Sequence, residues 1–181
     1  QGYPKRALPL YDAIARAPLD MLSAPALMHA AEIRLKLGQI NQTQAISLLD
    51  GLRFRWRGDR VEVELIRNLG QLYLQGGHYR EALETLRSIS HAPIEAPAMA
   101  DIRTDLSNTF RALFLDGRAD GMEPIQALAL FYDFKDQTPV GADGDLLVRK
   151  LARRLVDVDL LDKATELLKY QVENRLDGVA K

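Results

Sequence analysis

Apolar residues recur at intervals of three and four along almost the whole chain, and this periodicity limits the fold more than any other feature. Leu65, Leu69 and Leu72 form one such run, and Leu151 and Leu155 belong to another. Because an α-helix turns once every 3.6 residues, this spacing places apolar side chains in a stripe on one face. Sustained alternation of apolar and polar residues, which marks a half-buried strand, is found nowhere in the sequence. The sequence therefore predicts an all-α fold.

Helix start and stop signals interrupt the apolar stripes, so the predicted helices are short. Asn41 with Gln44 has the pattern of a capping box, in which two side chains satisfy unpaired backbone N–H groups, and Asp59 with Glu62 has the same pattern. Pro124 suits the first turn of a helix, where its missing N–H is no loss. Together the signals predict about nine helices, at residues 7–17, 25–37, 41–55, 60–75, 79–90, 96–115, 124–136, 144–157 and 160–176.

Short loops join the predicted helices, which favours antiparallel packing of neighbours as helical hairpins. The loosest segments are expected at residues 117–123 and 138–145. The basic run Arg149, Lys150, Arg153 and Arg154 lies opposite an apolar stripe, and it is interpreted as a solvated helix face. A group of aromatic residues is interpreted as core packing between helices: Phe110, Phe114, Phe131, Tyr132 and Phe134.

One segment, Val63–Ile94, carries a set of residue types at defined positions of two successive predicted helices. The set comprises Leu69, Gly70, Tyr73, Gly77, Tyr79, Ala82, Leu86 and Pro93. This pattern resembles a tetratricopeptide repeat, although Ile66 stands where the family has Trp and Pro93 comes one position early. Gly70 and Ala82 are small where the two helices are expected to cross, so the backbones can approach each other.

Degenerate copies of the pattern precede and follow this repeat. The alanines at the position equivalent to Ala82 are Ala45, Ala127 and Ala164, and the four stand 37, 45 and 37 residues apart, against about 34 in strict arrays. Large apolar residues follow four positions later, at Leu49, Leu86, Phe131 and Leu168. The resemblance implies repeat units at roughly 25–55, 60–92, 96–137 and 144–176 within a single domain, 1–181.

The resemblance implies a right-handed α-solenoid of antiparallel helix pairs, a superhelix whose inner groove is lined by the first helix of each pair. Members of the family mostly bind peptides or partner helices in that groove. Members that clamp a terminal carboxylate use Lys, Asn and Arg at fixed groove positions. The corresponding helix here offers Arg67, Asn68 and Gln71 as candidate partner-binding residues. The full basic set of the clamp is absent, so that specificity is not carried over.

A second candidate lies in the segment Arg53–Arg60, which interleaves four arginines with two aromatic residues. Arg55, Trp56 and Arg57 are candidates for gripping an acidic partner, a phosphate or a single-stranded nucleic acid. The alternative is structural: Trp56 enters the core with Leu52, and the arginines favour a helix C-terminus. A formal net charge of -1 gives no broad basic field, so no nucleic-acid partner is expected.

Catalytic and cofactor chemistry find little support in the sequence. There is no cysteine, which excludes disulfides, thiolate metal sites and a cysteine nucleophile. The three histidines, His29, His78 and His91, are too far apart to form a ligand pair on one helix. No phosphate loop or hydrolase motif occurs. We therefore expect no enzyme activity, no cofactor and no metal.

The partner is expected to be another protein or peptide, and the sequence does not specify the oligomeric state. No apolar stretch approaches the roughly 20 residues that cross a bilayer, so no membrane insertion is expected. A soluble protein without cysteine suits both the cytoplasm and the bacterial periplasm. Because the chain begins at Gln1 and not at Met, we expect it to be a piece of a longer protein.

Two functions fit these expectations. The first is a non-catalytic scaffold or adaptor that holds a partner peptide or helix in the groove. The alternative is a structural spacer within a larger solenoid, for example in a bacterial envelope or motility machine, where the domain would orient other modules.

Overall fold

The computed structural model describes residues 3–18, 20–57, 60–89 and 96–174, and in those ranges the chain forms nine α-helices and no strand. The helices are α1 (Pro4–Ala15), α2 (Ser23–Lys36), α3 (Gln42–Arg53), α4 (Arg60–Gln75), α5 (Tyr79–Ser88), α6 (Ala96–Phe114), α7 (Pro124–Asp133), α8 (Ala142–Asp157) and α9 (Leu161–Asn174). One turn of 3-10 helix, Lys135–Gln137, follows α7. The predicted all-α fold of about nine helices is confirmed.

The capping signals at two helix starts are present as predicted. Asn41 precedes α3 in an extended conformation, and its Oδ1 accepts a hydrogen bond from the Gln44 N–H at 2.9 Å. The Gln44 Oε1 in turn accepts from the Asn41 N–H at 2.9 Å, which completes the capping box. Pro124 begins α7. The second predicted box depends on Asp59, which lies outside the described residues.

The helices group into two compact units, Gln1–Asp105 and Leu106–Lys181. In the first unit each helix from α1 to α4 packs against the next one in sequence, and α4 packs against α5. In the second unit α7 packs against α8 and α8 against α9. Short turns reverse the chain, so these pairs are antiparallel hairpins. In the α4–α5 turn, for example, Gly77 has a φ of 77°, a conformation that glycine adopts without steric cost.

One hydrophobic cluster in the core of the first unit is formed by one face each of α2, α3 and α4. Its buried members are Ala24, Met28, Ala31, Ala45, Leu49, Leu52, Leu65, Leu69 and Leu72. Trp56 and Tyr73 are half-buried and pack against this cluster. The apolar stripes predicted from the periodicity are thus the surfaces that meet.

The second unit contains a buried aromatic cluster, in agreement with the interpretation of those residues as core. The ring centroids of Phe110 and Phe114 are 4.8 Å apart, and Phe131 lies 6.2 Å from each of them. Tyr170 of α9 contacts Phe131 edge-on at 6.3 Å. Tilted and edge-on contacts at these distances suit the quadrupoles of aromatic rings.

All four repeat alanines are buried: Ala45, Ala82, Ala127 and Ala164. At the α4–α5 crossing, a Cβ added to Gly70 would lie 3.1 Å from the Leu86 Cγ. Leu86 therefore occupies the space that the missing side chain leaves.

The sequence pattern misplaces one core position in α9. Leu168 was expected to face the core four residues after Ala164, but its side chain is 41% exposed, whereas Leu167 is fully buried. Ala164, Leu167 and Gln171 are the buried residues of this helix. Their spacing of three and four defines the core face, so Leu168 lies beside that face.

The segment predicted to be the loosest, 117–123, is instead held by hydrogen bonds within the second unit. The Ala119 N–H donates to the Leu113 carbonyl at 3.1 Å. Lys150 Nζ donates to the Leu115 carbonyl at 2.7 Å, and Arg154 Nη2 donates to the Met122 carbonyl at 2.5 Å. Lys150 therefore satisfies a carbonyl next to the end of α6, where unpaired carbonyls accumulate, and Arg154 satisfies one shortly before α7. Lys150 is exposed and Arg154 is half-buried, so these two side chains face solvent in part, as predicted, and also bind backbone carbonyls.

Helix α7 offers a matched test of the buried small residues, because Ala127 is buried and Ala129 is exposed on the same helix. We expect Ala127→Leu to lower the free energy of unfolding by about 1–3 kcal/mol, since a larger side chain overpacks a filled interior. Ala129→Leu should change it by no more than about 0.5 kcal/mol. Urea unfolding followed by circular dichroism measures both values. Equal effects of the two substitutions would contradict the role given to Ala127.

Candidate protein-binding site

An open groove lies between α2 and α4, the first helices of the predicted units 25–55 and 60–92. We call it the α2–α4 groove; its volume is about 310 Å³. Its apolar lining consists of Ala31, Leu35, Ala45, Leu49 and Leu72. Its polar lining consists of Glu32, Lys36, Asn68, Gln71 and Gln75. An apolar surface with a few polar groups around it is the usual composition of a ligand site on a protein.

Two of the three predicted groove residues line this groove. Asn68 Nδ2 donates a hydrogen bond to Glu32 Oε1, so the amide is fixed by a carboxylate from the neighbouring helix. His29 Nδ1 lies 3.5 Å from the other oxygen of Glu32. Gln71 is one turn further along α4 and exposed, and its amide has no hydrogen-bond partner within the described part of the chain. Gln71 is therefore the predicted residue that remains available to a ligand.

Arg67, the third predicted residue, is engaged elsewhere, in ion pairs with α6. Its Nε lies 2.5 Å from Asp105 Oδ2, and its Nη1 lies 3.4 Å from Asp101 Oδ2. The hydrogen bond to Asp105 is the main reason that the pKa of Arg67 is raised. Burial opposes this shift, and the charges of Asp105, Asp101 and Glu64 each raise the pKa by a smaller amount. Arg67 does not line the α2–α4 groove, so the three residues do not converge on one ligand.

The pairing of Arg67 bears on the kind of ligand that this surface can hold. A ligand carboxylate at Arg67 would compete with two carboxylates already in contact with it, and it would be repelled by both. The carboxylate-clamp arrangement is therefore not reproduced here. The groove instead offers apolar surface and neutral amides.

A second groove lies between α2 and α3, with a volume of about 290 Å³; we call it the α2–α3 groove. Its lining residues are Leu27, Ala31, Arg34, Ser47, Leu48, Leu49, Gly51, Leu52 and Arg55. Arg34 is paired with Asp12 of α1 through Nη2 and Oδ1, at 2.6 Å. The guanidinium of Arg55 has no carboxylate partner among the residues that the structure describes.

The structure separates the three candidates of the arginine-rich segment. Arg55 is exposed and lines the α2–α3 groove. Trp56 packs against the core of the first unit, and the Arg57 Nε lies 3.9 Å from the buried Glu62 Oε1. The structural alternative thus holds for Trp56. Arg55 is the member of this set that faces a groove, and partner binding by it stays a prediction.

Gly51 is a feature of the α2–α3 groove that the analysis of motifs missed. It lies in the last turn of α3, its φ is not positive, and a Cβ added to it would meet nothing within 4 Å. Neither backbone conformation nor internal packing therefore requires glycine. Glycine in a helix costs about 0.5–1 kcal/mol relative to alanine. An isolated glycine inside a helical pattern was the available signal.

The described residues contain no group of three or more His, Asp or Glu side chains placed to hold a metal ion. His78 lies exposed in the α4–α5 turn; His91 falls outside the described residues. Within the described helices, none combines the length and the apolar character that crossing a membrane requires.

The α4–α5 pair combines small residues at the crossing, Tyr73 beside it and a positive-φ glycine in the turn. This pair therefore has the features of the tetratricopeptide-like repeat predicted for the segment. No protein-family model matches the sequence, and no curated protein matches it.

Two solved structures are similar to this chain, both of a kinesin light chain-like protein from Podosopora anserina with nearly identical TPR-like repeats. One, a variant with a single substitution, shares 17% sequence identity with a TM-score of 0.48 and covers 93% of this chain and 84% of its own. The other shares 16% sequence identity with a TM-score of 0.47, and the match covers 96% of this chain and 90% of the other chain.

The ion pairs of Arg67 can be tested by double-mutant cycles. We expect Arg67→Ala and Asp105→Ala to show a coupling energy of about 0.5–1 kcal/mol, since both side chains are partly exposed and solvent screens the pair. The Arg67–Asp101 cycle is the control; its coupling should be smaller, because Asp101 is 61% exposed and more distant. Both couplings should decrease in 1 M salt. Equal couplings in the two cycles would refute the assignment of Asp105 as the main partner.

Proposed function

We propose that this chain is a non-catalytic protein-interaction module that binds a peptide or helix of a partner protein in the α2–α4 groove. The observation that carries the proposal is the composition of this groove between α2 and α4, a floor of buried apolar side chains with the half-buried Leu35 accessible beside it. Gln71 and Gln75 at its edge have no hydrogen-bond partners among the described residues. The tetratricopeptide-like arrangement of helix pairs supports an interaction role in general.

The groove favours a particular manner of binding. Apolar side chains of the partner would cover the half-buried Leu35 and remove its accessible surface from water, at roughly 25 cal/mol per Å². The free amides of Gln71 and Gln75 each offer a donor and an acceptor, which suits a peptide backbone. A helix-in-groove or extended-peptide mode of recognition uses contacts of this kind.

The chemistry of both grooves supports binding without catalysis. Neither groove places a Ser or Thr hydroxyl beside a histidine, the arrangement that would activate a nucleophile. Both are open surfaces and exclude little water, whereas catalytic electrostatics depend on a water-excluded site. The proposal therefore assigns these residues to recognition.

Photocrosslinking in the intact gene product identifies the partner and tests the groove together. A photoreactive residue at position 71 should crosslink the partner protein, whereas the same residue at position 84, an exposed site on α5, should not. Gln71→Ala with Gln75→Ala should then weaken binding of that partner by about tenfold, while the free energy of unfolding changes by no more than about 0.5 kcal/mol. Normal binding by the double variant would show that the partner uses another surface.

A structural role in a larger solenoid remains the second proposal, and one observation favours it. Leu161, Leu168 and Val172 are exposed on α9 at spacings of seven and four, so they form an apolar stripe that a further helix could cover. Replacing all three by Gln should then lower the melting temperature of the intact gene product but not that of this 181-residue chain. An equal effect on both proteins would speak against a covering helix.

A further inference from the structure

Gly51 leaves space at the surface of the α2–α3 groove that nothing in the described chain fills. A side chain at position 51 would point into open solvent next to Leu48 and Leu52, the neighbouring residues of the groove. Alanine at this position would favour the helix and meet no obstacle. Because glycine has no Cβ, it allows the close approach of another backbone, which alanine would hinder.

The residues that line the α2–α3 groove indicate which kind of structure could bind there. Leu48, which is 52% exposed, and the half-buried Leu27 supply the accessible apolar surface, whereas Leu49 and Leu52 are buried. A groove between two helices with an apolar lining accommodates the apolar face of a third helix. The absence of a side chain at position 51 lets such a helix lie close to α3.

The charged side chains of the α2–α3 groove indicate which charge a bound helix would carry. Arg55 stands at the groove without a carboxylate partner among the described residues, while Arg34 on the other side is neutralised by Asp12 at 2.6 Å. Helix α3 contains a single acidic residue, Asp50, and it is paired with Arg53 at 2.8 Å. The unbalanced charge of this surface is therefore positive, and a carboxylate of the occupant would complete a pair with Arg55.

We propose that the α2–α3 groove is a docking site for an acidic amphipathic helix of a partner protein. The apolar face of that helix covers Leu27 and Leu48, its backbone passes close to Gly51, and one of its Asp or Glu side chains pairs with Arg55. This site goes beyond the proposed function, which concerns the α2–α4 groove. The two grooves share only Ala31 and Leu49 in their linings.

A selection experiment identifies the preferred chemistry without knowledge of the natural partner. The probe is a phage-displayed library of helical 14-residue peptides, selected on the wild-type chain after depletion on the Gly51→Leu variant. We expect enriched peptides with apolar residues at spacings of three and four and with Asp or Glu beside them. Enrichment of basic peptides, or no enrichment over the depleted background, would overturn the proposal.

Variants then locate the binding of the enriched peptide, measured by fluorescence anisotropy. Gly51→Leu and Arg55→Glu should each weaken it by tenfold or more. Arg103→Glu, which makes the same charge change at an exposed site on α6, should leave it within twofold. A peptide in which the acidic residue is replaced by Lys should regain affinity for the Arg55→Glu variant but not for wild type. Failure of this charge exchange would refute the assigned pair.

The Gly51→Ala variant should have opposite effects on the stability of the chain and on its affinity for the peptide. It should raise the melting temperature by about 1–4 °C, because alanine favours the helix, and at the same time weaken the peptide by several-fold. Tighter or unchanged binding would exclude the close backbone approach. Gln71→Ala distinguishes the two grooves, and it should leave the affinity for this peptide unchanged. If Gln71→Ala weakens binding while Gly51→Leu binds normally, the peptide occupies the α2–α4 groove and the proposed α2–α3 site is rejected.

Discussion

The close approach of helices at small residues is the constraint on which the described architecture depends. Gly70 has no side chain at the point where Leu86 of the next helix enters, within 3.1 Å of the position that a Cβ would occupy. Buried alanines stand at one shared position in the second helix of each predicted unit: Ala45, Ala82, Ala127 and Ala164. Short helices of this length have little stability of their own, so the packing of their apolar faces supplies it. Small residues let those faces meet without gaps, and gaps in a core are costly.

This dependence on local periodicity explains why the helices themselves could be predicted. Helix ends are set by residues next to one another in sequence, such as Asn41 with Gln44 or Pro124 at the start of α7. The face that each helix buries follows from spacings of three and four along the same short segment. Errors appear where two positions compete for one face, as Leu167 and Leu168 do in α9.

The candidate site was less predictable, because its properties depend on residues far apart in sequence. Arg67 is separated by 38 residues from Asp105, and Asn68 by 36 residues from Glu32. No local pattern indicates that these side chains meet, so both were expected to be available to a ligand. The converse holds for Lys150 and Arg154, whose carbonyl partners lie 35 and 32 residues away. Long-range pairing decides which polar side chains on a helical surface remain free.

The difference between paired and free polar side chains also determines how one helix could contribute to binding two ligands. Helix α2 contributes to both grooves, with Glu32 and Lys36 on one side and Leu27 and Arg34 on the other. The α2–α4 groove presents the amides of Gln71 and Gln75 beside Lys36 and the hydrogen-bonded Glu32, whereas the α2–α3 groove has Arg55, which has no carboxylate partner among the described residues. Apolar area contributes affinity in both grooves without distinguishing partners, since the hydrophobic effect is non-directional. Charge and hydrogen-bonding groups must then provide the discrimination, because a partner with the wrong charge would leave a desolvated ion unpaired.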